Sequence, residues 1–286
     1  MSGLRLLSWN IQWGRGMDGC VDLARSASVV AALAPDVVCL QEVAVHQPDL
    51  PGGVDEDQPE HLRRLLPGYE TVFGAGSDLP DGRGGRRQFG QMILSRHPLL
   101  QVFRHLLPWP ADPAVPSMPR MALEAVVAAP QGPLRVLTTH LEYYSSRQRL
   151  AQVDALRQLY AEGHGHGVSP RSGAEPDPPF AVLPRGTQTV LCGDFNFVAD
   201  APEYGRLQAP MAQGVPRLVD AWTLCHTGHA HAPTAGLYGP GFAAEPLCCD
   251  FCFVSDNLPV AGVEVIDHTD ASDHQPLLLR LFSIQW

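Results

Sequence analysis

Apolar residues in this chain gather into short runs that end in polar side chains. Residues 4–10 (LRLLSWN) read as a short buried strand. Residues 21–33 carry Leu23, Ala27, Val30 and Leu33 at helical spacing, which predicts a helix. Residues 36–42 (DVVCLQE), a compact apolar run behind Pro35, predict a second buried strand. Strands are also predicted at 91–95 and 121–128. A turn at Pro130, Gln131 and Gly132 leads into a returning strand at 134–140, which completes a hairpin. Residues 145–161 line up Leu150, Val153, Leu156 and Leu159 or Tyr160 on one helical face. Later strands are predicted at 189–192, 250–254 and 277–282.

Two segments lack such periodicity. Residues 47–60 are rich in Pro, Gly and acid, and residues 163–186 contain GHGHG and PDPP; both read as loops. The second reads as a mobile surface loop and not a domain linker, because strand alternation resumes after it. No internal repeat is evident. Mixed strands with interspersed helices and a hairpin predict a layered α/β sheet structure in preference to a purely parallel one.

The 286 residues are 45% hydrophobic, enough to bury a large core, and only 17% charged, which argues against wholesale disorder. The formal net charge is -10. Proteins that hold long nucleic acids through their phosphates usually present a basic face. The nearest thing to one is Arg83, Arg86 and Arg87, which read as part of a solvated loop. Seven scattered cysteines in a chain of this length do not suggest a disulfide framework, and a reducing compartment is the simpler account. Residues 1–5 contain no apolar signal core and no stretch reaches membrane-spanning length, so a cytoplasmic protein without a membrane span is expected.

The candidate chemistry sits at strand ends. Asn10 follows LRLLSW, Glu42 follows VVCLQ, His140 follows RVLTT, Asp194 and Asn196 follow TVLCG, and Asp273 and His274 precede the last strand. A single polar strand end means little, but five contributing carboxylates, amides and histidines form a pattern. Strand ends hold side chains rigidly beside a pocket. Glu42, Asp273 and the amide oxygen of Asn10 are hard oxygen ligands suited to Mg²⁺ or Mn²⁺. A carboxylate can orient or deprotonate water, and a histidine can hydrogen-bond a phosphate or protonate a leaving group.

The ordered segments SWNIQ, LQEV, GQMILSR, TTHL, GDFN, DFCFVS and SDHQPL resemble the motif set of the endonuclease/exonuclease/phosphatase superfamily over residues 4–279. That group includes pancreatic deoxyribonucleases, exonuclease III-type nucleases and neutral sphingomyelinases. The resemblance implies one catalytic domain over residues 1–286, built as a four-layered α/β sandwich of two central mixed, largely antiparallel sheets flanked by helices. It implies that Asn10 and Glu42 form the first metal-site pair and that Asp273 is a later metal-associated acid. By the same resemblance Asp194 orients or activates water and Asn196 contacts the phosphate. His274 binds phosphate or acts in proton transfer, Asp250 orients it, and His140 is a second active-site histidine. Arg149 and Gln152 fit a pattern that braces the site from the following helix.

Two positions depart from the family pattern. Cys249 precedes Asp250 where many relatives carry Arg, and residues 86–91 offer no acid to partner His140. The expected function is metal-dependent hydrolysis of a phosphate ester, most simply a small diester, by direct attack of water. The alternatives are a DNA or RNA nuclease using the same site and a catalytically inactive binding module. Residues 47–60, 108–119 and 163–186 are the expected substrate-selecting loops. Cys225, His226, His229, His231, Cys248, Cys249 and Cys252 have zinc-ligand chemistry, but strand alternation sends Cys249 and Cys252 to opposite faces. Tyr143 and Tyr144 read as packing residues at a helix entrance, with stacking on a base or ring as the alternative, and Arg96 and Arg120 as structural ion-pair residues, with contact to an anionic substrate as the alternative.

Overall fold

The computed structural model describes residues 3–170, 183–212, 214–238 and 245–282. The first sheet contains β1 (Arg5–Asn10), β2 (Val37–Val45), β3 (Glu70–Pro80), β4 (Arg86–Ser95), β11 (Val260–Val265) and β12 (Leu277–Leu281), in the order β11-β12-β1-β2-β4-β3. The second contains β5 (Leu99–Leu106), β6 (Met121–Ala129), β7 (Gly132–His140), β8 (Thr189–Asp194), β9 (Leu218–Asp220) and β10 (Asp250–Ser255), in the order β5-β6-β7-β8-β10-β9. Each sheet has one parallel pair at its centre, β1 with β2 and β7 with β8. The other pairings are antiparallel.

Strand alternation builds the layers. Leu6, Val37, Cys39 and Ile93 from the first sheet meet Leu123, Val136, Val190 and Cys252 from the second in a shared core. The intervening residues Leu7, Trp9, Val38 and Leu40 point outward and pack under α1 (Leu23–Leu33) and α2 (Gln58–Leu65). On the far side Leu137, Leu191 and Phe253 pack against Val153, Leu156 and Tyr160 of α3 (Ser146–Val168) and Leu207 of α4 (Pro202–Gln208). A short α5 (Ala221–Cys225) follows β9. The result is a helix–sheet–sheet–helix α/β sandwich. Among the described residues, no helix is long and apolar enough to cross a membrane.

Two expected loops are shorter than their sequence suggests. Helix α2 begins at Gln58, inside residues 47–60, capped by the Asp57 carboxylate accepting from the Glu60 N–H at 3.0 Å. Helix α3 continues through GHGHG to Val168. Its glycines permit close packing: a Cβ at Gly163 would overlap the Arg135 guanidinium, and one at Gly167 would press on the Arg185 and Gly186 carbonyls. Here packing overrides the weak helix propensity of glycine. The remaining loop expectation falls largely on residues 171–182, outside the described residues.

A buried ion network ties the second sheet to α3. Glu124 accepts from Arg135 Nε at 2.8 Å, Arg185 Nη2 lies at 3.1 Å and His105 Nε2 at 2.9 Å, while Arg135 also donates to the Tyr160 carbonyl. Burial alone would raise the Glu124 pKa, but His105, Arg135 and Arg185 outweigh it and hold the carboxyl at about 2. Because the folded value lies below the unfolded one, this stabilisation is complete above the ordinary carboxylate range. It drains away as pH falls toward about 2. Glu124→Gln strands a fully buried Arg135, and should lower stability by about 3–5 kcal/mol. Denaturant melts at neutral pH check this, and the acid-induced decline of stability should be shallower in the variant.

Candidate active site

The two central parallel pairs end side by side, and residues at or near those ends line one cavity of about 340 Å³. Glu42, His140, Asp194, Asn196, Asp273 and His274 all face it; Asn10 and Asp250 lie directly beneath. Backbone irregularity aims several of them. Between the pairings Leu40–Met92 and Val43–Gly90, Gln41 and Glu42 together oppose Gln91, forming a β-bulge with Glu42 at φ 59°. Asn196 turns at φ 51°. Gly193, in GDFN, has φ 139°, and a Cβ there would overlap the Thr139 carbonyl, so the close approach of β7 to β8 requires glycine. That approach sets His140 opposite Asp194 in register, while Asp250 faces Asp194 from the other side.

Asn10 bridges two carboxylates. Its Nδ2 donates to Glu42 Oε1 at 3.1 Å and to Asp194 Oδ2 at 3.0 Å. Its amide oxygen accepts from the Gln12 N–H at 3.0 Å. Glu42 Oε2 is buried without a hydrogen-bond partner. Burial chiefly, with Asp273 and Asp194 adding repulsion against the help of Asn10 and His274, raises the Glu42 carboxyl to about 7. Asp273 is likewise raised, by burial first, and its Oδ2 accepts from Gln12 Nε2 at 2.8 Å. An orphaned buried carboxylate oxygen amid further carboxylates is the donor set a hard divalent cation fits. Glu42 and Asp273 are the residues that would hold it.

The two histidines differ. His274 Nδ1 lies 2.9 Å from Asp250 Oδ2, and its Nε2 lies 3.7 Å from Asp194 Oδ2. Burial would lower its pKa, but Asp250, Asp194 and Asp273 outweigh burial and raise it to about 10. His140 sits between Glu42, 3.7 Å from Nδ1, and Asp194, 3.5 Å from Nε2. Burial first, then the Arg120 charge, lowers it to about 3, which leaves a neutral imidazole. The segment 86–91 brings Gln91, not an acid, to a small cavity beside His140.

The loop after His140 is firmly braced. Gln152 Oε1 accepts from the Glu142 N–H at 2.9 Å, and Arg149 donates to the carbonyls of Glu142 and Tyr143 at 2.9 Å each. Arg120 pairs with Glu142 at 3.4 Å and also lines the cavity. Arg96 stands over the Tyr69 ring at 4.9 Å. Tyr143 and Tyr144 are 40% and 59% exposed at the cavity wall, more open than inward packing at a helix entrance would leave them.

Three contributors escaped sequence reasoning. Gln12 and Trp13 both line the cavity with left-handed backbone, at φ 47° and 45°. They stand inside or beside SWNIQ, which was the available signal. Thr234 donates to Asp250 Oδ2 at 2.7 Å, the oxygen that also meets His274, and lies in a segment without periodicity. The zinc constellation is dispersed: His226 contacts the Val263 carbonyl at 2.9 Å, His231 pairs with Asp220, and Cys252 lies in the inter-sheet core. Among the described residues, Asp194, Cys249 and His274 form the one His/Cys/Asp/Glu group whose ligand atoms all lie within 4.8 Å. Burial raises the Cys249 thiol well above its usual value.

A two-sheet α/β sandwich with carboxylates, amides and histidines at the central strand ends has the architecture of the metal-dependent phosphoesterases and nucleases. The sequence matches the endonuclease/exonuclease/phosphatase family over residues 7–274, and the chain belongs to that family, whose members are hydrolases, typically metal-dependent. Among solved structures it is similar to an endonuclease/exonuclease/phosphatase from Beutenbergia cavernae DSM 12333 at 27% identity and TM-score 0.68, covering 98% of this chain and 72% of that one. A Bacteroides vulgatus family protein superposes with TM-score 0.70 at 18% identity, covering 99% of each chain. The mannosyl-6-phosphatase Bt3783 of Bacteroides thetaiotaomicron VPI-5482 superposes with TM-score 0.67 at 16% identity, covering 98% of this chain and all (100%) of the other. No curated protein matches by sequence.

Proposed function

We propose that this protein is a Mg²⁺- or Mn²⁺-dependent phosphodiesterase acting on a small phosphate ester. The observation that carries the reading is the partnerless, buried Oε2 of Glu42 beside Asp273 and Asp194, facing the same cavity as the His274 imidazole. A divalent cation held by Glu42 and Asp273 would draw charge from a phosphoryl oxygen. Asp194 would orient the attacking water and accept its proton as the new P–O bond forms and the ester P–O bond breaks, the leaving oxygen departing as an alkoxide that takes a proton from solvent. His274, aimed by Asp250, would hydrogen-bond the phosphoryl oxygens where negative charge grows. Asn10 and Asn196 would keep Asp194 in place.

Charge supports a diester over a monoester. Four carboxylates, Glu42, Asp194, Asp250 and Asp273, crowd the region where one divalent cation would sit, and Arg120 is offset by Glu142. A singly charged diester is repelled less than a doubly charged monoester. Long nucleic acid is disfavoured by the -10 net charge and by the pairing of Arg83, Arg86 and Arg87 with Asp55, Asp78 and Asp49.

The test is a metal-dependent hydrolysis screen of small diesters, monoesters, sphingomyelin and duplex DNA. Diester hydrolysis that chelator abolishes and Mg²⁺ or Mn²⁺ restores is expected. Binding to random duplex DNA should be weak at physiological salt, and tight, steeply salt-dependent DNA binding with efficient cleavage would make the protein a nuclease.

A further inference from the structure

The cavity has an apolar side that the phosphate chemistry does not use. Trp13, Tyr143 and Tyr144 line it together with the polar site residues. Tyr143 and Tyr144 meet edge to face with ring centroids 4.7 Å apart, and both rings are substantially exposed. Exposed aromatic rings on a loose loop mean little, but these stand on fixed mounts. The Tyr143 carbonyl is held by Arg149 and the Tyr144 N–H donates to Glu142 Oε1 at 3.0 Å, on a turn also braced by Gln152. The next residue, Ser145, caps α3 and donates to Asp112 at 2.6 Å.

Trp13 is fixed in the same manner. Its indole Nε1 donates to the Pro51 carbonyl at 3.1 Å, and its own carbonyl accepts from the buried Gln58 Nε2 at 2.8 Å. Its left-handed backbone is uncommon for so bulky a residue and is sustained only because its surroundings fix it. Trp13 is half-buried with its ring 6.4 Å from that of Phe89, and packing alone requires neither its strained backbone nor the exposure of the two tyrosines. Both follow if the rings are held ready for a ligand.

We propose that Trp13, Tyr143 and Tyr144 form a preorganised subsite for a planar aromatic ester group, so that the favoured substrate is a small phosphodiester bearing an aromatic ring. This rests on the phosphodiesterase reading of the adjoining acids and histidines. The cavity, about 340 Å³, lies at the small end of the range for organic ligands, with room for a phosphate and one ring beside it. Flat groups stack on aromatic faces, and rigid mounting removes the entropy cost of ordering the rings on binding.

The probes are diphenyl phosphate and dimethyl phosphate, which carry the same single charge, titrated by calorimetry into the full chain with Mg²⁺. Diphenyl phosphate is expected to bind at least roughly 10-fold more tightly, in line with the worth of one ring stacked on an aromatic side chain. Tyr144→Ala and Trp13→Ala should each shrink that ratio severalfold while leaving dimethyl phosphate binding nearly unchanged, and Tyr144→Phe should retain it. Thermal melts establish that each variant folds. A wild-type ratio near one, a ratio untouched by either alanine variant, or an equal loss for both ligands would overturn the subsite. Failure to hydrolyse any diester, with the ratio behaving as expected, would sink the phosphodiesterase reading and leave the aromatic subsite standing.

Discussion

Glu42→Gln is expected to remove nearly all metal-dependent hydrolysis while leaving the fold intact. The substitution keeps the bulge, the side-chain volume and an acceptor for Asn10, but deletes the charge that would hold the cation. Loss of a partner outside the coordination shell costs metal sites roughly 10–100-fold, so loss of a direct ligand should exceed that, with only partial rescue by excess Mn²⁺. Stability should move the other way. With the folded pKa of Glu42 raised to about 7, the metal-free folded chain binds more protons than the unfolded one between the ordinary carboxylate range and pH 7. Glu42's contribution to wild-type stability therefore falls as pH rises through that window, while His140, lowered to about 3, contributes in the opposite direction. The variant lacks the Glu42 contribution, so its stability should fall less than the wild type's through that window, and at pH 8 without metal it should melt no lower than the wild type. Activity titrations against metal and melts with and without Mg²⁺ check both halves. Full activity at ordinary metal concentration would remove Glu42 from the cation site.

His274→Ala and Asp250→Ala should each depress turnover by roughly 10²–10⁴-fold, the range for loss of a positioned acid–base group. Their effects should not multiply. Asp250 reaches the cavity through His274, since one carboxylate oxygen meets both His274 Nδ1 and the Thr234 hydroxyl. Once the imidazole is gone, Asp250 has nothing to aim. The double variant should therefore be about as impaired as the worse single one, giving a large coupling in a double-mutant cycle. Independent, multiplicative losses on a hydrolysed diester, with folding checked by melting, would disprove the pairing.

The parts of this fold that are visible in the sequence are the parts that are buried on both faces. β1, β2, β7, β8 and β10 are near-continuous apolar runs because helices cover one side and the opposite sheet covers the other. The strands without a sequence signal, β3, β5, β9 and β11, are the four outer edges of the two sheets. They are half-exposed or short, and β3 carries two glycines and ends in proline, so no apolar run marks them. The same rule governs the site. Residues at the ends of apolar runs, such as Asn10, Glu42, His140 and Asp194, could be read directly. Thr234 lies in an irregular segment, and its place under Asp250 is set by the bridge from Ala235 to His274. That contact is settled only in three dimensions. The exposure of Tyr143 and Tyr144 was hidden for the opposite reason, because aromatic residues beside a helix start ordinarily pack inward.

The pairing of β12 with β1 joins the two extremities of the chain, with Arg5 opposite Arg280 and Ser8 opposite Leu277. Across that seam Trp9 Nε1 donates to the His274 carbonyl at 2.9 Å, and the Ser272 hydroxyl donates to the Asn10 carbonyl at 2.8 Å. The strand lies inside its sheet, between β11 and β1, so the sheet cannot close without it. Contacts between residues this distant in sequence come late and slowly in folding, after a long loop has been closed. During synthesis Glu42 and the hairpin of β6 and β7 emerge well before the segment that carries Asp273 and His274. The proposed site is thus completed only when β12 docks on β1, and a chain unable to make that pairing would lack Asp273 and His274 at the cavity.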